Sequence, residues 1–183
     1  EMEFAGKFLP KNAKVVGITG SNGKTTTTLL TAHLLQAAGM EVYTGGNVGI
    51  SFARLVLDYL KAPKSEASAP IFVLELSSFQ LDGIVKYKPH IAILTNISPD
   101  HLDRYDYKYE NYIASKFRIT MNQTEEDYLV YDADDEAIAE WLKNNKTKAQ
   151  LIPFSLTKIF EQGAFIKEKT MEVNIINEEE FTM

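Results

Sequence analysis

The chain has 183 residues, of which 45% are hydrophobic and 24% are charged, and this composition is typical of a globular domain. The formal net charge of -6 and the lack of a basic stripe argue against a nucleic-acid partner. The absence of cysteine excludes disulfides, thiolate metal sites and cysteine nucleophiles. The sequence has neither a membrane-length apolar run nor a signal-peptide pattern, so we expect a cytoplasmic protein without a membrane partner.

Residues 15–28 form the most distinctive segment, which combines an apolar strand, a glycine-containing turn and the start of a helix. The turn and its flank read Gly20-Ser21-Asn22-Gly23-Lys24-Thr25. In such a turn the backbone amides and the helix N-terminus can bind a phosphate group. Lys24 can add a positive charge for the outer phosphates, and the Thr25 hydroxyl can bind Mg2+. The segment therefore predicts a nucleotide-phosphate site, or P-loop.

A glycine-rich turn without a ligand is the alternative, because the spacing departs from that of the ordinary P-loop. That motif has a glycine five positions before Gly23, where this chain has Ile18. The context nevertheless favours phosphate binding. Leu30, Leu34 and Ala38 have helical spacing and predict an amphipathic helix directly after the turn.

Strands and helices alternate along the chain as far as residue 154. The predicted strands cover residues 15–19, 41–44, 71–76, 90–97, 128–131 and 150–154, and the predicted helices cover residues 24–38, 51–61, 107–123 and 134–145. The remaining predictions are loops at residues 45–49 and 62–70 and a hairpin at residues 164–167 and 171–176. This pattern predicts an α/β fold with a doubly wound, mainly parallel sheet, flanking helices and a C-terminal antiparallel hairpin.

Glu75 lies near the carboxyl end of a predicted strand that is otherwise apolar. A buried carboxylate is costly unless it is paired or binds a metal, and ligands of open α/β sheets bind at the carboxyl ends of strands. A glutamate that points into solvent at the strand end is the alternative. Glu75 is therefore a candidate metal ligand.

A polar segment, residues 98–105, follows the next apolar strand. It contains Asp100, His101, Asp103 and Arg104. A capped turn is the alternative interpretation, because either aspartate could begin a helix and a lone histidine is often structural. The position after a strand, next to a predicted phosphate loop, favours a role in binding a metal or a phosphate.

Three polar segments thus follow predicted strands, and they are residues 20–25, 75–80 and 96–104. The carboxyl ends of parallel strands lie at one edge of a sheet, so we expect these segments to meet. Four side chains would then surround a nucleotide-bound metal, namely Lys24, Thr25, Glu75 and His101. Lys116, in contrast, reads from its neighbours alone as a solvated lysine on a helix.

Four segments together resemble the Mur ligase family, the ATP-dependent amino-acid ligases of peptidoglycan precursor synthesis. They read TGSNGKT at residues 19–25, GGNVG at 45–49, LELSSFQL at 74–81 and NISPDHLDRY at 96–105. The third string is similar to that of the branch of the family that adds D-glutamate. The resemblance covers about residues 15–135.

The resemblance implies that residues 1–183 form a single domain, the central ATP-binding domain of a three-domain enzyme. In the family the N-terminal domain holds a uridine nucleotide, and the C-terminal domain contributes to binding of the amino acid and ATP. The chain begins at Glu1 and stops at Met183 without an obvious closing helix, so we read it as a piece of a longer protein. We expect it to be a monomer.

The resemblance also implies roles for individual residues. The nucleotide would be bound by Gly20, Ser21, Asn22, Gly23, Lys24, Thr25, Thr26, Asn96 and Asp100. The substrate would meet Asn47, Ser77, Gln80 and His101. Two Mg2+ ions would be bound by Thr25, Glu75, His101 and Lys116, and the last of these falls where the family carries a carbamylated lysine. The catalytic group would comprise Lys24, Glu75, His101 and Lys116.

The reaction that the resemblance implies is an amide-forming ligation in cell-wall biogenesis, on which cell shape and division depend. ATP would phosphorylate the terminal carboxylate of UDP-MurNAc-L-alanine, and the amine of D-glutamate would attack the acyl phosphate. A folylpolyglutamate synthetase, which also adds glutamate, is the alternative enzyme, although its phosphate loop differs after the lysine. A nucleotide-binding module without catalytic activity is the alternative outside enzymes.

Overall fold

The computed structural model describes residues 1–62, 69–174 and 180–182. The helices are α1 (Met2–Gly6), α2 (Lys24–Ala37), α3 (Phe52–Lys61), α4 (Ser78–Asp82), α5 (Tyr109–Phe117) and α6 (Glu136–Asn144), and single 3-10 turns lie at Leu102–Arg104 and Arg118–Thr120. The strands are β1 (Lys14–Thr19), β2 (Val42–Gly46), β3 (Ile71–Glu75), β4 (Ile91–Leu94), β5 (Tyr128–Asp132), β6 (Gln150–Ser155), β7 (Gly163–Lys167), β8 (Thr170–Asn174) and β9 (Glu180–Thr182). None of the helices in these ranges is long and apolar enough to span a membrane.

The strands form one nine-stranded sheet in the order β2-β3-β1-β4-β5-β6-β7-β8-β9. All neighbours from β2 to β7 are parallel, and β8 pairs antiparallel with both β7 and β9. The predicted fold and its terminal hairpin are therefore confirmed, with β9 added at the edge. Residues 175–176 of the predicted hairpin lie outside the described residues.

Helices lie on both faces of the sheet. The larger core contains apolar side chains of α1, α3, α4, α5 and α6 packed on one face. The smaller core lies on the other face, where Ala32 and Leu35 of α2 pack against Val16, Ile18 and Val73. Strand β1 is thereby buried on both faces. The turn that follows it lies at the carboxyl ends of the parallel strands, between β3 and β4.

Helix α2 forms where it was predicted, but its buried face is not the predicted one. Leu30 is 55% exposed and Leu34 is 60% exposed, whereas Thr28 and Ala32 are buried. The face of the helix that packs on β1, β2 and β3 carries Thr28, Ala32 and Leu35 instead. The leucine spacing therefore predicted the helix correctly, but it predicted the wrong face of the helix as the buried one.

Several element bounds also differ from the predictions. Gly45 and Gly46, which we assigned to a loop, form the last two residues of β2. The helix predicted at residues 107–123 is regular only over Tyr109–Phe117. The short helix α4 was missed, although its start carries a Ser-x-x-Gln capping box.

Candidate active site

The glycine turn after β1 has the backbone of a phosphate-binding loop. Gly20 has a φ of +150°, and a Cβ atom there would lie 2.0 Å from Oγ1 of Thr95. Gly23 has a φ of +78° and is the N-cap residue of α2. Both positions need glycine because a left-handed backbone, and at Gly20 also a close neighbour, disfavours a side chain. The helix N-terminus behind the turn favours an anion.

Asn96, which lies in the loop after β4, fixes the shape of this turn. Its Oδ1 accepts a hydrogen bond of 2.9 Å from the amide of Asn22, and its Nδ2 donates to the Asn22 carbonyl at 3.0 Å. Thr95 Oγ1 donates to the same carbonyl at 2.8 Å. Both polar atoms of the Asn96 side chain are therefore hydrogen-bonded to the loop. In this structure Asn96 is a positioning residue.

Ser21 and Lys24 make contacts within the site. The Ser21 hydroxyl donates to the Ser98 carbonyl and accepts from the Ser98 amide, both at 2.9 Å, and lies 3.1 Å from the hydroxyl of Tyr112. Lys24 Nζ donates to the Ser21 carbonyl at 2.9 Å. The loop after β4 and helix α5 therefore both hold the phosphate loop. Thr26 follows on α2 with an exposed side chain.

Glu75 is only 2% exposed, as expected for a functional carboxylate rather than one that points into solvent. Its Oε2 accepts a hydrogen bond of 2.6 Å from Thr25 Oγ1, and its Oε1 accepts one of 3.0 Å from Asn47 Nδ2. Gly46 permits this approach, because a Cβ atom there would lie 2.3 Å from the Glu75 carbonyl oxygen. Three distant motifs thus meet at one carboxylate.

Lys116 is also only 2% exposed, so the interpretation as a surface lysine was wrong. Its Nζ donates to the Gly20 carbonyl at 2.9 Å and to Thr19 Oγ1 at 3.3 Å, and it lies 5.2 Å from the centre of the Tyr112 ring. Burial, together with the nearby Lys24 cation, lowers the pKa of Lys116 to about 7. The helical pattern gave no signal of this, because the burial comes from packing against the distant strand end.

His101 and Asp100 lie on the more open side of the site. His101 is a non-glycine residue with a φ of +50°, and its amide donates to Asp100 Oδ1 at 2.9 Å. Its ring centre lies 5.2 Å from that of Phe79. A cavity of about 120 Å³ connects these side chains with the buried part of the site, and its lining includes Lys24, Asn47, Ser77, His101 and Lys116.

Gln80 has a structural contact that accounts for its position. Its Oε1 accepts hydrogen bonds from the amide and the hydroxyl of Ser77, at 3.0 and 3.1 Å, and the Ser77 hydroxyl accepts from the Gln80 amide at 3.3 Å. These bonds form the capping box of α4. In this structure Gln80 orients Ser77, which lines the cavity, whereas Gln80 does not line it.

A polar network that we did not predict lies next to the site and runs from the buried Ser115 to the exposed Asp82. Ser115 Oγ donates to Asp82 Oδ1 at 2.6 Å, and the Tyr105 hydroxyl donates to Asp82 Oδ2 at 2.9 Å. The carbonyl oxygen of Ser78, 3.1 Å from Ser115 Oγ, is an alternative acceptor for the same hydroxyl hydrogen. The network joins α4 to α5 directly beside Lys116. A serine next to a lysine carries no signal of such a role in the sequence.

The donor set fits Mg2+ when a nucleotide is present. Within the described ranges no three His, Asp or Glu side chains converge on a possible metal position. Mg2+ does not require such a cage, because it is usually bound by one or two carboxylates together with phosphates and water. Glu75 and Thr25, in contact at the mouth of the phosphate loop, offer a carboxylate and a hydroxyl of this kind.

Comparisons with known proteins agree with this geometry. The sequence matches the Mur ligase middle domain family over residues 18–183. It is 57% identical over all 183 residues to the UDP-N-acetylmuramoylalanine–D-glutamate ligase of Christiangramia forsetii, of which it spans 39%. The corresponding ligase of Cytophaga hutchinsonii is 46% identical over 97% of the chain, which spans 38% of that protein.

A solved structure shows the same fold at lower identity. The MurF ligase of Thermotoga maritima, determined in complex with ADP, has a TM-score of 0.60 and is 24% identical, and the match covers 93% of this chain and 39% of that one. The chain thus spans about two fifths of the length of the proteins it matches. The extent of the family match establishes that the chain belongs to the Mur ligase middle domain family.

Proposed function

We propose that this chain is the ATP-binding domain of a ligase that joins D-glutamate to UDP-MurNAc-L-alanine. The observation that carries the proposal is the convergence of Lys24, Glu75 and Lys116 at one edge of the sheet, in a chain 57% identical to a ligase of that name. The remaining domains of the intact protein would hold the uridine nucleotide and the incoming amino acid. A monomeric, cytoplasmic enzyme is part of the proposal.

The phosphate loop would bind ATP, and the ADP in the MurF relative supports this part of the proposal. The loop amides and the N-terminus of α2 suit the phosphates. Lys24, whose ammonium group donates to the Ser21 carbonyl, would provide the charge for the outer phosphates. Asp100, on the open side of the site, would shape the position of the nucleotide. Thr26 would add a hydroxyl at the start of α2.

Thr25 and Glu75 would hold one Mg2+, and His101 with a modified Lys116 would hold the second. The ions would neutralise the phosphate oxygens next to the carboxylate that is to be activated. Asn47 donates to Glu75 and would orient that carboxylate as well as meet the substrate. Ser77 and His101, which line the cavity, would contact the substrate near its alanyl carboxylate.

Lys116 would carry a carbamate, and its surroundings support this. Carbamylation needs a neutral amine, and a lysine in water, with a pKa near ~10.4, is almost wholly protonated at neutral pH. Burial lowers the pKa of Lys116 to about 7, so the unmodified amine is neutral in a large fraction of molecules. The carbamate would replace a buried cation with an anionic oxygen ligand for a metal.

The chemistry then follows from neutralisation and alignment of charge. The substrate carboxylate oxygen attacks the γ-phosphorus of ATP, the bond to the β-phosphate oxygen breaks, and ADP leaves. The amine of D-glutamate attacks the acyl phosphate carbon, inorganic phosphate leaves with the bonding electrons, and the amine loses a proton. The substrate carboxylate and the triphosphate are both anions and repel each other. The positive charge of Lys24 would reduce this repulsion, and the site would hold the two groups in line for reaction.

The test uses the intact protein, with phosphate release measured in the presence of ATP and Mg2+. Release should require both UDP-MurNAc-L-alanine and D-glutamate. We expect Glu75→Gln to lower kcat by on the order of 10²–10³-fold, as is usual when an electrostatic group of an active site is removed. Phosphate release with a folate substrate but not with UDP-MurNAc-L-alanine would overturn the proposed substrate. If the intact protein released phosphate with neither substrate, the proposal that it is a ligase would be overturned.

A further inference from the structure

The phosphate loop contains the one Asn-Gly pair of the sequence, Asn22-Gly23. Both residues are exposed, and the Asn22 side chain is lightly held, because its Nδ2 lies 3.4 Å from Ser98 Oγ, a long distance for a hydrogen bond. A Cβ atom on Gly23 would meet nothing within 4 Å, so the space around this residue is open. The side-chain amide of Asn22 is therefore free to turn towards the backbone nitrogen of Gly23.

An asparagine followed by glycine is prone to deamidation, since glycine has no side chain to hinder ring closure. The deprotonated backbone nitrogen of Gly23 attacks Cγ of Asn22, a C–N bond forms, and the bond from Cγ to Nδ2 breaks. Nδ2 leaves as ammonia after it takes up a proton, which replaces the one lost from Gly23. Water then opens the cyclic imide at either of its carbonyl carbons and leaves aspartate or isoaspartate at position 22.

Two hydrogen bonds activate the Gly23 nitrogen from the other end of its peptide unit. The carbonyl oxygen of this unit belongs to Asn22 and accepts from Thr95 Oγ1 at 2.8 Å and from Asn96 Nδ2 at 3.0 Å. When a peptide group loses its proton, the negative charge is shared between nitrogen and oxygen. Both donors therefore stabilise the attacking anion. Within the described ranges the Gly23 N–H donates to no acceptor, so no hydrogen bond retains its proton.

The charges around the loop favour the same anion. Gly23 is the N-cap residue of α2, where the helix dipole is positive. The ammonium group of the next residue, Lys24, folds back onto the turn and donates to the Ser21 carbonyl at 2.9 Å. The positive potential that suits a phosphate group thus also favours the deprotonated peptide nitrogen of Gly23.

We propose that Asn22 is a deamidation site whose reaction inactivates the phosphate loop, and that a bound nucleotide protects it. Either product adds a negative charge beside the phosphates, and isoaspartate also lengthens the backbone of the turn by one carbon. A phosphate group bound to the loop amides would occupy the Gly23 N–H and disfavour its deprotonation, which gives the protection. The inactivation and the protection rest on the proposed function, whereas the deamidation itself needs no nucleotide.

The test incubates the intact protein at mildly alkaline pH and follows the peptide that contains Asn22 by mass spectrometry. We expect a mass increase of about 1 Da and separate aspartate and isoaspartate peptides. A non-hydrolysable ATP analogue with Mg2+ should slow the reaction at least tenfold, and affinity for the analogue should fall in proportion to the modified fraction. If Asn22 stayed unmodified while a synthetic peptide of residues 16–28 was deamidated, the proposal would be overturned.

Lys146→Gly provides the matched control, because it places a glycine after the exposed Asn145, the C-cap residue of α6. The helix dipole is negative at this end, so we expect Asn145 in this variant to react more slowly than Asn22 and at a rate that the analogue does not change. A rate at Asn145 equal to that at Asn22 would contradict activation by the loop. If calorimetry detected no binding of the analogue, the proposed function would fail, and modification of Asn22 would still confirm the deamidation site.

Discussion

Lys116 shows how a single residue acquires its chemistry from burial. Its ammonium group donates to Gly20 and Thr19 at the end of β1, and the surrounding protein disfavours its charge. Burial thus favours the neutral amine of the unmodified lysine, which is the form that the proposed carbamylation needs. Its position beside Lys24 adds a second reason for the low pKa, since like charges repel.

We expect the stability of the unmodified chain to increase with pH above about 7. The pKa of Lys116 is about 7 in the folded chain and near ~10.4 when unfolded, so between these values the unfolded state binds more protons. Urea unfolding at pH 6.5, 7.5 and 8.5, in buffers free of carbon dioxide, measures this. Lys116→Met serves as the control and should show a smaller increase, and equal pH slopes for the two proteins would contradict the prediction.

Gly20 and Gly39 offer a matched pair with left-handed backbones. An alanine Cβ at Gly20 would lie 2.0 Å from Thr95 Oγ1, whereas at Gly39, with a φ of +80°, it would meet nothing within 4 Å. We expect Gly39→Ala to lower the free energy of unfolding by roughly 1–2 kcal/mol, from backbone strain alone. Gly20→Ala should cost more and weaken ATP binding by the intact protein. If both variants lost the same stability and Gly20→Ala bound ATP normally, the contact between the new Cβ atom and Thr95 Oγ1 would have no energetic cost, contrary to this prediction.

Among the elements, α4 is held by the capping box between Ser77 and Gln80. Gln80→Leu removes the acceptor and should lower the free energy of unfolding by about 0.5–2 kcal/mol. Gln80→Glu keeps an acceptor oxygen and should retain most of the stability and the KM for UDP-MurNAc-L-alanine. Denaturant unfolding and steady-state kinetics of the intact protein measure the two effects. A stable Gln80→Glu variant with a strongly raised KM would instead place Gln80 at the substrate.

The order and type of the main elements could be predicted, because apolar strands and capped helices leave a local pattern. Ser51, for example, was expected to begin a helix, and its hydroxyl accepts the Arg54 amide. The buried face of α2 and the burial of Lys116 could not be predicted, since both depend on which distant strand a helix meets. Glu75 was identified because a charge inside an apolar run is itself a local anomaly.

At the scale of the whole molecule, the chain spans less than half of the ligases it matches. We expect the 183-residue chain alone to bind Mg-ATP weakly and to form no UDP-MurNAc-L-alanyl-D-glutamate, because alignment of the two substrates supplies much of the rate of such a reaction. Calorimetry with an ATP analogue and chromatography of the products measure these properties. Product formation by the chain, abolished in Lys24→Ala, would show that this domain is sufficient for catalysis.

The strand order also has a consequence for how the chain acquires its structure. Strand β1 lies between β3 and β4, which are synthesised more than fifty residues later. Strand β1, which precedes the phosphate loop, therefore stays unpaired until β3 and β4 have been synthesised, and such long-range pairing is slow. We expect pulsed hydrogen exchange to show that the amides of β1 become protected only together with those of β3. The phosphate loop would then take its final shape only after β3 and the residues that follow β4, which hold it, have folded.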